Sequence, residues 1–136
     1  MAKAPQRHRA RWRHEVASFG YAIQGIREAL LSEPHLRFHA LATAVVVALG
    51  AWLHVSRHDW ALLALAVGAV WAAELMNTAI ETIIDLVSPD FHPLAGRAKD
   101  VAAGAVLLMA LAAGVVGLLV FGPPLWDKAV ALNGHP

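Results

Sequence analysis

Apolar residues in this chain fall into one sparse helical stripe followed by three long runs. From about Glu15 to Leu31, Val16, Phe19, Ile23, Ile26 and Leu30 recur at helical spacing, with Ser18, Gln24, Arg27 and Glu28 on other faces. That pattern predicts an amphipathic helix over 15–32 lying on a membrane surface. Pro34, after Ser32 and Glu33, marks a break and a new helix start. A first span is expected over about 36–55, uncharged from Leu41 to Leu53, then a short polar loop, His54 to Asp59. The second span runs over about 60–84 with Trp60 as an interfacial anchor. Pro89, Pro93 and Gly96 break the next loop, and a third span covers about 98–121, which Pro123 and Pro124 are expected to end. Ala110 with Gly114, and Ala113 with Gly117, give small-xxx-small spacing suited to close helix packing. The fold expected is an all-α integral membrane protein: basic arm 1–14, membrane domain 15–122, dispensable tail 123–136.

Composition supports a bilayer as solvent. With 58% hydrophobic and 15% charged residues in 136, a soluble core of this size could not hide the apolar surface. Absence of cysteine excludes disulfides and thiolate metal sites. Net charge, only +1, conceals an asymmetry that sets topology. Lys3, Arg7, Arg9, Arg11, Arg13, Arg27, Arg37, Arg97 and Lys99 fall on the side of the N-terminus and second loop, against Arg57 and Lys128 on the other. The N-terminus is therefore expected in the cytoplasm and the C-terminus outside. The basic arm reads as an anchor on anionic headgroups, with no nucleic-acid partner.

Candidate chemistry concentrates at the end of the second span, Glu74-Leu-Met-Asn77-Thr-Ala-Ile-Glu81-Thr-Ile-Ile-Asp85. At 100° per residue, with Glu74 at zero, Asn77, Glu81 and Asp85 fall at roughly 300°, 340° and 20°. Three potential negative charges on one stripe at membrane depth are costly without a cation or a proton. A proton relay, an ion site and a divalent-metal site all fit that arrangement. Arg97, Lys99 and Arg37 nearby add the positive charge a polyphosphate requires, which together with Mg2+ on carboxylates makes up the parts of phosphoryl transfer. Glu74, the deepest carboxylate, suits a general base taking a proton from a lipid hydroxyl. Gly20 to Gly25 has P-loop glycine spacing, but Ile26-Arg27 follows instead of Lys-Ser/Thr, so it carries no weight. His35 with His39, and His54 with His58, have metal-ligand spacing but are too few for a zinc site.

The Glu74–Asp85 stretch followed by His92-Pro-Leu-Ala-Gly-Arg-Ala-Lys99-Asp100 resembles the signature of the small prokaryotic diacylglycerol kinases, and the likeness extends from about Ser18 to Leu119. The resemblance implies a homotrimer in the bacterial inner membrane, with a surface helix and three spans per subunit, using MgATP on a lipid alcohol. By position it implies Glu74 as catalytic base, Glu33 and Glu81 as metal-binding carboxylates, and Asn77 as a polar residue of the site. Tyr21, Asp90, Phe91, His92, Lys99 and Asp100 match nucleotide contacts, alongside Glu33, Asn77 and Glu81, and Asp85 matches a supporting position. The pattern departs at His14, where a basic contact is expected. Within the family, Glu33-Pro-His-Leu-Arg37-Phe-His39 and Ser88 to Ala95 are more similar to the branch acting on undecaprenol, and His39 stands where the diacylglycerol branch tends to carry a carboxylate. Undecaprenol is thus the expected substrate, diacylglycerol the alternative. A non-catalytic, ion-coupled membrane protein is the rival from another class; it has no use for Lys99 beside an ATP-sized loop.

Overall fold

A computed structural model describes residues 5–134, with side chains from Ser18 onward. Expectations placed on residues 1–4 and on the side chains before Ser18, including the arm's arginines and the contact around His14, lie outside the described residues. Four helices follow one another: α1 Pro5–Ser32, α2 Pro34–Leu53, α3 Arg57–Val87 and α4 Pro93–Asn133. Among the described residues there is no strand.

Each junction has a local cause. Glu33 is extended (φ −98°, ψ 116°), as the residue before a proline prefers, and Pro34 opens α2 at a position where its missing N–H costs nothing. The Arg37 guanidinium reaches back to the Leu31 carbonyl at 3.0 Å, covering a freed acceptor at the end of α1. α2 closes on His54, which takes the left-handed conformation (φ 53°) while Val55 N–H returns to the Gly50 carbonyl. α3 then starts on a reciprocal capping box, with Ser56 and Asp59 each binding the other's backbone N–H. This cap draws residues 57–59, read from sequence as loop, into the helix. At the other end His92 caps α4, its Nδ1 accepting the Leu94 N–H at 3.2 Å.

α2, α3 and α4 are each long and apolar enough to cross a membrane, and the chain is an integral membrane protein on that pattern. Few side chains are buried within the chain: Leu53, Leu63, Val120 and Phe121 form a core at the end of the bundle near the α2–α3 turn, with Trp60 packed against it. The outer edge of the Trp60 ring abuts Gly50, where an added Cβ would stand 2.9 Å from the ring. Most other large apolar side chains face outward, as expected where the surroundings are themselves apolar.

One expectation is corrected. α4 does not end at Pro123 and Pro124 but continues to Asn133. Proline's fixed φ is compatible with a helix; its cost is the lost bonds to the Leu119 and Val120 carbonyls and local crowding. Beyond the prolines, the Lys128 ammonium sits 5.0 Å over the Trp52 ring while its side chain stays exposed. The small residues of α4 are left open within this single chain, which leaves their expected role in close helix packing as it stood. A Cβ on Gly114 or Gly117 would meet no atom within 4 Å, and these positions line an open groove instead.

Candidate active site

The carboxylate stripe of α3 divides into three levels. At the deepest, Glu74 is the one buried charged side chain among the described residues, 6% exposed. Burial of a carboxylate in apolar surroundings is costly unless a hydrogen-bond partner accompanies it. Here His39 of α2 supplies one, with Nε2 2.9 Å from Glu74 Oε1. One turn away along each helix, Trp71 Nε1 donates to Thr43 Oγ1 at 3.0 Å, and Thr43 donates to the His39 carbonyl at 2.7 Å. From sequence, His39 stood out as a branch feature and as half of a metal-spaced pair, Trp71 as a packing residue, and Thr43 not at all. The available signal was polar residues at i, i+4 on one span opposite polar residues at i, i+3 on the next.

Two turns further along α3, Asn77 Nδ2 donates to Glu81 Oε1 at 2.9 Å. Asn77 Oδ1 is buried and, among the described residues, has no hydrogen-bond partner. An unpaired buried oxygen beside a carboxylate is the donor chemistry a hard cation such as Mg2+ takes. One chain does not complete such a site: no group of three or more acidic or histidine side chains able to hold a metal gathers among the described residues. Glu33 sits at the α1–α2 junction, where its carboxylate accepts the Ser32 hydroxyl at 3.2 Å.

At the third level α3 meets α4. Lys99 Nζ donates to Asp85 Oδ1 at 2.5 Å, joining two helices across the intervening loop. Beside this pair is an open recess of about 250 Å³, lined by Asp85, Ser88, Asp90, Phe91, His92 and Lys99. Five of the residues singled out from sequence (Asp85, Asp90, Phe91, His92 and Lys99) are therefore brought together. The Ser88 hydroxyl donates to the Asp90 carbonyl, and Phe91 stands 92% exposed at the rim. Asp85, whose part was undefined in the sequence, is the residue that holds Lys99. Tyr21 on α1 and Asp100 on α4 are exposed and do not line the recess.

At 1.5 Å per residue, Glu74 and Asp85 are separated by roughly 16 Å along α3. On the apolar side of Glu74 a groove of about 380 Å³ runs between α2, α3 and α4, with Phe38, His39, Thr43, Trp71, Ala110 and Gly114 in its walls. Along α3, the buried Glu74 falls between residues that line this groove (Val67, Val70, Trp71) and residues that line the polar recess (Ile84, Asp85), and itself lines neither.

Similarity to known proteins extends over most of the chain. Residues 20–121 match the family model described as prokaryotic diacylglycerol kinase. An undecaprenol kinase of Bacillus subtilis is 40% identical over 118 residues, covering 87% of this chain and 96% of its own length. A diacylglycerol kinase of Synechocystis is 41% identical over 133 residues, covering 95% of this chain and 75% of its own. The Escherichia coli diacylglycerol kinase is 34% identical over 98 residues, covering 72% and 80%.

Proposed function

The chain belongs to the prokaryotic diacylglycerol kinase family and is a membrane lipid kinase; we propose that it transfers the γ-phosphoryl group of ATP to undecaprenol, giving undecaprenyl phosphate. The observation that carries this reading is the placement of Glu74: a buried carboxylate between an apolar groove and a recess bearing Lys99. The lipid chain occupies the groove, and its hydroxyl meets Glu74. As the alcohol oxygen bonds to the γ-phosphorus, its proton passes to Glu74, and the bond to the β–γ bridging oxygen breaks with its electron pair leaving on ADP.

Glu81, Asn77 Oδ1 and Glu33 are the groups of this chain that would hold Mg2+ with the triphosphate. Bound there, Mg2+ would neutralise charge developing on the phosphate oxygens. The recess at Asp90, Phe91, His92 and Lys99 receives the nucleotide, with Asp100 and Tyr21 contributing contacts, and Lys99 exchanges its bond to Asp85 for phosphate oxygens. Glu33 is offered to the site by a neighbouring copy in a homotrimer. This accords with the incomplete ligand set of one chain and with the outward-facing apolar surfaces of α2 to α4. α1 lies on the cytoplasmic face of a bacterial inner membrane, its exposed Phe19, Ile23 and Leu31 in the headgroup layer and the active site on the same side.

Substrate preference is a matter of the lipid; at nearly equal identity, the likeness covers 96% of an undecaprenol kinase against 75% of a diacylglycerol kinase, which favours the polyprenol. Purified protein with MgATP should release ADP with undecaprenol many-fold faster than with diacylglycerol, and only at background without lipid. The reverse order would make it a diacylglycerol kinase; no lipid-dependent release with either would remove the kinase reading.

A further inference from the structure

α2 and α3 meet through a polar stripe set in an apolar contact. His39 and Thr43 on α2 face Trp71 and Glu74 on α3, and the Thr43 hydroxyl links both bonds by donating to the His39 carbonyl. The side chains of His39 and Glu74 are 16% and 8% exposed, so neither is freely hydrated. A carboxylate only accepts hydrogen bonds, so against an ionised Glu74 it is His39 Nε2 that carries the hydrogen. No other side chain supplies a donor to Glu74 among the described residues. α2 has no hydrogen-bonding side chain between Thr43 and Trp52, whose ring lies under Lys128, α4 has no donor side chain between Val101 and Trp126, and the Asn77 amide is committed to Glu81.

We propose that His39 is a positioning residue for phosphoryl transfer. Its Nε2–H holds the Glu74 carboxylate through Oε1 and leaves Oε2 to receive the proton of the lipid hydroxyl. The proposal rests on the reading of Glu74 as the base. It acts on the chemical step and not on nucleotide capture, because the Lys99 recess lies roughly three helical turns away along α3. A bond that serves only to register α2 on α3 would be indifferent to which donor is present, since Trp71 and Thr43 already join the same two helices.

Glutamine and asparagine separate these roles. The Nε2 of a glutamine reaches about as far from the backbone as His Nε2, whereas asparagine Nδ2 stops near the position of His Nδ1. The test measures kcat and KM for MgATP on purified full-length protein in micelles containing undecaprenol, with thermal unfolding as the check on fold. His39→Gln is expected to keep kcat within about fivefold, and His39→Asn and His39→Leu to lose about 30- to 100-fold in kcat, the scale set by misplacing a catalytic group. KM for MgATP should change less than about twofold in all three, the loss being confined to the chemical step. Equal kcat in the folded Gln and Asn variants overturns the proposal, as does a folded Gln variant that is as slow as Leu. If the Leu variant fails to fold, the Gln–Asn comparison decides alone. Glu74→Gln is the control: turnover retained there removes the base and this proposal with it. An inactive Glu74→Gln beside fully active His39 variants removes only the role of His39.

Discussion

At the scale of single residues, the candidate site gives each carboxylate of the α3 stripe a different partner. Glu74 has an imidazole, Glu81 an amide, Asp85 an ammonium. These partners foretell different failures. Glu81→Gln removes a charge from the proposed metal position, so its Mg2+ titration curve should move to higher concentration as kcat falls; an unchanged Mg2+ response would take Glu81 out of that position. Lys99→Ala should raise KM for MgATP by about tenfold or more, the loss of one charge-assisted contact to phosphate, while the fold persists. The Asp85–Lys99 pair is largely exposed, and exposed ion pairs contribute only about 0–1 kcal/mol. A Lys99→Ala protein whose unfolding temperature drops steeply would contradict this.

At the scale of elements, Gly50 and the end of α4 are where packing is most specific. A methyl group at Gly50 runs into Trp60 at 2.9 Å, so Gly50→Ala should destabilise by about 1–3 kcal/mol, as overpacking does, read by thermal or denaturant unfolding in detergent. A variant as stable as the parent would show that the ring moves aside freely. The spans were legible in the sequence because continuous apolar runs have no soluble alternative, and the stripe because helical geometry alone aligns positions 74, 77, 81 and 85. Helix ends were less legible. The Ser56–Asp59 capping box and the persistence of α4 through Pro123 and Pro124 depend on local hydrogen bonds and on Lys128 meeting Trp52, which hydropathy does not register. The partnership of His39 with Glu74 lies across 35 positions of sequence, beyond what one helix's periodicity encodes.

At the scale of the molecule, the account is of a boundary: α3 carries an alcohol-facing carboxylate inside the apolar layer and a nucleotide-facing recess at its end. The proposed orientation, argued from charge asymmetry, sets the recess on the cytoplasmic side. The absence of native cysteine gives a clean background for testing this. In intact cells an impermeant maleimide should label His58→Cys at the start of α3 from outside, and Phe91→Cys only after the membrane is opened; the opposite pattern would invert the topology. The central claim, that Glu74 takes the proton of a lipid alcohol as phosphate is transferred, is tested most directly by following γ-labelled phosphate from MgATP into undecaprenol with parent and Glu74→Gln proteins of equal stability. The parent should yield labelled undecaprenyl phosphate, and Glu74→Gln should be slower by about 10²- to 10⁴-fold, the range of a lost general base. Labelling by Glu74→Gln at a rate near the parent's would contradict the account.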